Sequence, residues 1–513
     1  MLKCTLWAIC LCASLQIDAQ ILHVSGKVHQ AIKTGDSIEL NIPLVGEYYK
    51  SNSTFSAIDN AGDFRFEINC IGPKFVELIY GKDRQWILIS HCGDLFVDVN
   101  VHSDNHKFTF QGGAKEENDL LKELEPSEGV FFSKKNAIGK IEVEYLAWTA
   151  DSIKRYLLPL IQNEIAEKRK LITNSKLPES LRHALWVDVE FYYANQFTKF
   201  ESAWIKRNGV RVWAKSFAGL EVESFPMPSK TELVISQSAD EWFIMACATS
   251  SSNANYAHYF AQDGEKADSQ FLRQVGFSYK YLFDTLTKEL GGSYAASLEG
   301  YHFAPTFGRD RWLAYYVELE CELSDLKIAR LLLNTLQDSF PSSPFLAPCL
   351  AKVNAVAHSL ADHESNNAIH IRPDYRNISS LSELLAPYKG KVIYMDLWGT
   401  WCGPCADQMQ YAAQLEGKFK GKPVLFLYVD DDEDKYDDRW RSYISIRNIE
   451  GEHVRLTKEQ LVGIWDQLTS PEHRNSYPSY FIIDKDGNIS ISLSKRPSDQ
   501  AALYQQIAEV LNR

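Results

Sequence analysis

The sequence predicts three differently built regions: an N-terminal all-β sandwich, a central all-α region and a C-terminal α/β module. Residues 21 to 113 are rich in polar–apolar alternation, as in Asp63-Phe64-Arg65-Phe66-Glu67-Ile68, the period of a strand with one buried face. From Glu116 to about His363 apolar residues instead recur at helical spacing. Beyond residue 378 short apolar runs alternate with helical patterns. A chain of 513 residues exceeds what one hydrophobic core organises, so several domains are expected. The divisions read as a signal peptide over 1–19, a β-sandwich over 20–115, a helical domain over 116–362, a linker over 363–377 and an α/β domain over 378–513.

Lys3 supplies a small positive charge, and Leu6 to Leu15 is an apolar run of signal-peptide length. A bilayer span needs roughly twenty apolar residues. Ala19 and Gln20 end the segment at a plausible cleavage point, although Ile17 is larger than the small residue such sites prefer. A membrane anchor is the alternative. Cys10 and Cys12 follow Ile9 and Leu11, not the small residue expected before a lipidated cysteine. The leader implies export from the cytoplasm. A formal net charge of −13 argues against nucleic acid as a partner. Of the ten cysteines, Cys4, Cys10 and Cys12 lie in the leader. Cys70 and Cys92 either pair in an oxidising compartment or act as buried apolar thiols.

Strands are expected at Ile21–Val28, Ser37–Leu44, Asp63–Ile68, Phe75–Tyr80, Trp86–Ser90, Leu95–Val101 and Lys107–Phe110. Asp59-Asn60-Ala61-Gly62 supplies a turn. In the helical region Pro159 should kink or split the pattern running from Tyr145 to Ile172. Ser324 is a candidate N-cap for a helix that buries Leu332 and Leu336. Trp186, Phe191, Tyr192 and Tyr193 read as core, not as a ligand cage. Residues 363–377 are polar, with Pro373 and no period.

The last region begins with a buried strand, Lys391–Trp398, and a helix from Cys402 to about Phe419. A second strand covers Pro423–Val429. The acidic stretch Asp430–Asp438 reads as a solvated loop and helix start, not a metal site. A helix over Lys458–Leu468 and a strand over Ser479–Asp484 follow. A turn at Lys485-Asp486-Gly487-Asn488 leads to Ile489–Leu493, and Ser498 caps a final helix to Leu511.

Cys402-Gly403-Pro404-Cys405 carries the chemistry. A helix starting at the motif aims free N–H groups at the first sulfur and favours its thiolate. The second sulfur lies one helical turn on, within disulfide reach. Pro404 falls in the first turn, where a missing N–H costs nothing. Cys402 should therefore be the exposed nucleophile and Cys405 the buried resolving thiol. Asp396 sits inside an apolar strand, six residues before Cys402. Buried there, its carboxyl would have a raised pKa and could take the proton of Cys405. Trp401, Gly403 and Pro404, with Tyr477 and Pro478 before a core strand, are the candidate client-binding surface.

The stretch from Gly390 through Asp396 and Trp398-Gly399-Thr400-Trp401 to Cys405 closely resembles the TlpA/ResA-like branch of thioredoxin-fold thiol–disulfide oxidoreductases. Tyr477-Pro478 and Phe481-Ile482-Ile483-Asp484-Lys485-Asp486-Gly487 share the resemblance, which covers residues 378–513. It implies a thioredoxin fold, a cis peptide before Pro478 that frees the backbone of Tyr477 to pair with an extended client, and an inserted element around Asp431–Leu456. The order of β domain, helical middle and redox domain is similar to secreted Bacteroidetes-type members. That looser likeness implies a periplasmic location and assigns no activity to residues 21–365. Two departures stand out. Ala406 replaces the basic residue frequent after the second Cys, and Gln410 replaces a Pro, which should reduce the kink in the active-site helix. Asp407 adds negative charge near the thiolate.

Rival chemistries fit less well. Zinc would need two more ligands beside the cysteines, with only His453 and His473 on offer. Covalent haem would need His where Ala406 stands. A peroxidase would use a lone cysteine. The expected activity is protein-disulfide exchange, reductase or isomerase before oxidase, because Gly-Pro resembles the dipeptide of reducing thioredoxins. No cofactor is expected beyond the redox-active Cys402–Cys405 disulfide. Expected partners are thiol- or disulfide-containing periplasmic proteins and, for reduction, a membrane electron donor. The alternative is a partner-binding or assembly protein in which the thioredoxin-like domain is accessory.

Overall fold

A computed structural model describes residues 20–29, 36–46, 48–70, 73–90, 93–100, 107–125, 145–209, 225–247, 276, 278, 281–363 and 366–513. The expected signal peptide and the Cys70–Cys92 pairing lie outside what it describes. The chain divides into two compact units, 1–267 and 268–513. This division falls inside the helical stretch 116–362.

The first unit opens with eight strands: β1 (Gln20–Val28), β2 (Ser37–Asn41), β3 (Ser53–Ala57), β4 (Asp63–Cys70), β5 (Lys74–Tyr80), β6 (Asp83–Ile89), β7 (Leu95–Val99) and β8 (Phe108–Gly112). They form two four-stranded sheets, ordered β4-β1-β7-β8 and β3-β2-β5-β6. Val24, Phe66, Val97 and Phe110 of the first sheet meet Leu40, Leu78 and Ile87 of the second in one buried cluster, as expected of a sandwich. Sequence patterning misses β3. It is an edge strand with exposed Phe55, so it shows no buried face to read. Helix α1 (Lys115–Leu124) is tied to the sandwich by the Asn118 side chain, which donates to the Leu88 carbonyl and accepts from the Leu88 N–H.

Helices α2 (Leu158–Asn174) and α3 (Glu179–Asn208) follow. Pro159 lies in the first turn of α2, directly after a π-helical turn at Ile153–Leu157, so the helical pattern is split just before the proline. Phe191 and Tyr193 are buried, and Trp186 and Tyr192 pack against the same cluster.

In the second unit, α4 (Gly292–Phe303), α5 (Arg309–Glu322), α6 (Leu326–Ser339) and α7 (Leu346–His363) precede the α/β module. The cap of α6 is Asp325, whose carboxylate accepts from the Ile328 N–H. Ser324, the expected cap, instead has φ 61° and accepts from Arg447 through its hydroxyl.

The module is a six-stranded sheet ordered β14-β13-β10-β11-β12-β9. Its strands are β9 (Ile369–Ile371), β10 (Val392–Trp398), β11 (Val424–Asp430), β12 (Gly451–Arg455), β13 (Ser479–Ile483) and β14 (Ile489–Ile491). Besides a short helix at Leu381–Leu385, the helices are α8 (Gly403–Met409), α9 (Ala412–Phe419), α10 (Asp437–Ile446), α11 (Lys458–Leu468) and α12 (Ala501–Leu511). The stretch 363–377, read as linker, supplies β9, which pairs in parallel with β12. Gln500 precedes α12, so Ser498 is not its cap. Every residue of β10 is buried, because helices cover both faces of the sheet. Ile393, Met395 and Leu397 face one apolar cluster with α11. Val392, Tyr394 and Trp398 face another that holds the two motif cysteines, α9 and α12. Among the described residues no helix is long and apolar enough to cross a membrane.

Candidate active site

Cys402 and Cys405 are joined by a disulfide, with Cα atoms 5.2 Å apart. Cys402 is the N-cap of α8, and the Cys405 N–H donates to its Sγ across 3.2 Å. Such a contact favours negative charge on that sulfur. Pro404 lies in the first turn, and both Gly403 and Pro404 are exposed. The expectation of an exposed Cys402 is corrected: it is 5% exposed and Cys405 is 1% exposed. In the disulfide both belong to the apolar cluster beneath the helix.

The active-site helix is also shorter than expected. The Gln410 side chain donates to the Asp407 carbonyl, the acceptor that Tyr411 would use in a continuous α-helix. The Tyr411 N–H turns to Gln408 instead. The single helix expected from Cys402 to about Phe419 is thus two, α8 and α9, with no proline at the break.

Asp396 is 2% exposed. It alternates with Tyr394 and Trp398, so it falls on the sheet face that carries the cysteines. Burial holds its carboxyl well above the usual carboxylate range. Its Oδ1 has no hydrogen-bond partner among the described residues.

The Tyr477–Pro478 peptide is cis. The Tyr477 ring meets Trp401 edge to face at 5.3 Å and Trp465 at 5.8 Å. Trp401 is 50% exposed. Its indole folds back over Gly399, where a Cβ would come within 2.6 Å of Nε1. The structure therefore brings Trp401, the disulfide, Tyr477 and Pro478 to one end of the sheet, with Asp396 on the strand below.

Sequence reading missed the carboxylates behind this surface. Asp430, Asp431 and Asp432 are buried, not solvated. Asp432 accepts from the Thr400 hydroxyl at 2.5 Å and from Arg439 at 3.2 Å. Its N–H donates to Asp430. Asp431 accepts from the Tyr477 hydroxyl at 2.7 Å. Arg455, 1% exposed, donates to the Asp432 carbonyl, to Asp434 and Asp437, and to Tyr375. Thr400 and Tyr477 come from other segments of the chain, so the residues next to the acidic run do not announce them. Burial pushes the His453 imidazole down to about 4, and its Nε2 pairs with the Ile449 carbonyl.

Residues 373–499 match the Redoxin family. The chain is similar to the thiol-disulfide oxidoreductase ResA of Geobacillus kaustophilus, 30% identical over 105 residues, which is 20% of this chain and 55% of the relative. ResA of Bacillus thuringiensis is 31% identical over 111 residues, covering 20% of this chain and 56% of that one. The chain thus spans about half the length of the curated relatives it matches. A solved thioredoxin domain of a thiol-disulfide oxidoreductase from Bacteroides vulgatus aligns with 25% of this chain and 84% of its own, at 21% identity and TM-score 0.22. The C-terminal module carries a Redoxin domain on a thioredoxin fold.

Proposed function

We propose that the chain is a periplasmic thiol–disulfide oxidoreductase that exchanges disulfides with protein clients through Cys402 and Cys405, in the reducing or isomerising direction. The observation that carries this reading is the Cys402–Cys405 pair at a helix start, with a backbone N–H on the first sulfur.

In the reducing direction the Cys402 thiolate attacks one sulfur of a client disulfide. The client S–S bond breaks, a mixed disulfide forms and one client thiolate leaves. Asp396 takes the proton of Cys405, which then attacks the Cys402 sulfur. The second client thiolate departs, and Cys402–Cys405 is left oxidised. Two electrons have passed to the client, so each cycle needs a membrane electron donor to restore the dithiol. Isomerisation returns the electrons within one client and needs none. Trp401, Gly403, Pro404, Tyr477 and Pro478 would hold the client segment, by strand addition along the backbone of Tyr477.

The test is trapping. Cys405→Ser should hold client proteins on Cys402 as mixed disulfides that mass spectrometry identifies. Equal trapping by Cys402→Ser would overturn the assignment of nucleophile and resolver.

A second reading, in which the upstream region captures a partner and the redox domain is accessory, is favoured by a cleft in the first unit. It encloses about 390 Å³ between Phe75, Trp86, Tyr192 and Asn195. The Asn195 Oδ1 is buried there without a hydrogen-bond partner among the described residues. Retention of a partner by a Cys402→Ser/Cys405→Ser double variant would favour this reading.

A further inference from the structure

We infer that Asp431 is a positioning residue for client selection: it holds Tyr477 so that Tyr477 and Trp401 form an aromatic ledge for a large apolar side chain beside the client's cysteine. This rests on the exchange activity proposed above and names the client class that the site prefers.

Asp431 joins two segments far apart in the chain. Its N–H donates to the Trp398 carbonyl at 3.0 Å, at the end of the strand that leads into the motif. Its Oδ2 accepts from the Tyr477 hydroxyl at 2.7 Å, in the loop that leads into β13. Only 7% of the residue is exposed. A charged acceptor in such a setting makes a stronger hydrogen bond than a neutral one. Behind Tyr477 stands Trp465, 1% exposed and packed in turn on Phe481. The tyrosine is therefore fixed at its hydroxyl by Asp431 and on its ring by Trp465.

Trp401 leans on this fixed ring from the solvent side. Half of its surface is open, immediately before the nucleophilic cysteine. Gly399 gives the indole room to lie back, so its direction is set by the fold. An oriented, half-exposed indole next to a reacting sulfur offers apolar area and an aromatic partner. The side chains that use both are Phe, Tyr, Trp and large aliphatics. Without Asp431, Tyr477 would lose its tether and Trp401 its backing. The client's backbone could still pair beside Pro478, but the flanking side chain would meet a yielding surface.

The full chain is assayed with disulfide-bonded peptides that differ only in the residue beside cysteine, Phe, Ala or Lys, and with hydroxyethyl disulfide. The Phe peptide should exceed the Ala peptide in kcat/KM by roughly threefold to tenfold, the range of one aromatic contact. Asp431→Ala should bring that ratio towards one, through a higher KM for the Phe peptide. Asp431→Asn, which keeps an acceptor oxygen, should retain most of it. Tyr477→Phe, which keeps the ring and loses the hydroxyl, should behave like Asp431→Ala and serves if the alanine variant does not fold. Equal use of Phe and Ala peptides, preference for Lys, or an unchanged ratio in both Asp431→Ala and Tyr477→Phe overturns the inference. Failure to turn over hydroxyethyl disulfide and every peptide overturns the exchange reading itself.

Discussion

The Thr400 hydroxyl donates to the Asp432 carboxylate at 2.5 Å, and the Thr400 N–H points at the same oxygen from 3.4 Å. The loop entering the cysteine pair is thereby fastened to the end of β11. Thr400→Val keeps the shape and removes the hydroxyl donor. Both residues are buried, so stability should fall by about 1–3 kcal/mol, the range for a buried acceptor deprived of a partner. Urea unfolding checks this, and Thr400→Ser should recover most of the loss.

Arg439 is the charged partner of the same carboxylate, at 3.2 Å, and both side chains are buried. Burial raises Asp432, while Arg439 pulls it back down. Arg439→Ala should remove about 3–5 kcal/mol at neutral pH, the range for a buried pair broken on one side. Loss of the guanidinium moves the folded-state pKa of Asp432 further above its unfolded value. Such a group loses stability as pH rises through that interval. The deficit should therefore be larger at pH 8 than at pH 5. Equal deficits at the two pH values would count against this assignment.

Asp396→Asn should act on stability and rate in opposite directions. The carboxyl has a raised pKa in the folded state because burial disfavours its charge. Its favourable contribution is complete below the unfolded pKa and is lost as pH rises through the folded one. Asn resembles the protonated form, so the variant should gain stability at pH 8 relative to wild type and gain little at pH 4. On the proposed role of Asp396 as acceptor of the Cys405 proton, decay of a mixed disulfide on Cys402 should slow by roughly a hundredfold, at the lower end of general-base contributions. Urea titrations at both pH values and stopped-flow decay test the two halves separately.

Gly300 lies where α4 meets Trp312 of α5. A Cβ there would fall 2.0 Å from the indole, whose Nε1–H donates to the Ser297 carbonyl at 2.8 Å. The ring is fully buried and has little room to retreat. Gly300→Ala should cost about 1–3 kcal/mol through overpacking. Thermal unfolding followed by tryptophan fluorescence gives the measurement.

What the sequence reveals depends on whether a residue's surroundings are local. The apolar run of β10 and the Cys402–Cys405 spacing are local, and both are legible. So is Asp396, because a lone carboxylate among Val392, Ile393, Met395 and Leu397 can hardly avoid burial. The run Asp430–Asp432 is opaque for the opposite reason. Its carboxylates meet Arg439 just downstream and, on two distant segments, Thr400 and Tyr477. At the break after Met409 the Gln410 side chain donates to the Asp407 carbonyl and the Tyr411 N–H to the Gln408 carbonyl, partners that helix periodicity does not encode. Strand β9, Ile-His-Ile, is too short to show a period at all.

That three-residue strand has an outsized consequence. It lies along the outer edge of β12, with His370 opposite Glu452 and Ile371 opposite His453. A fragment starting at residue 378 would uncover this edge and leave a row of backbone donors and acceptors seeking another chain. With residues 369–371 in place, the outer edge of β12 is paired and the sheet ends on a strand of only three residues.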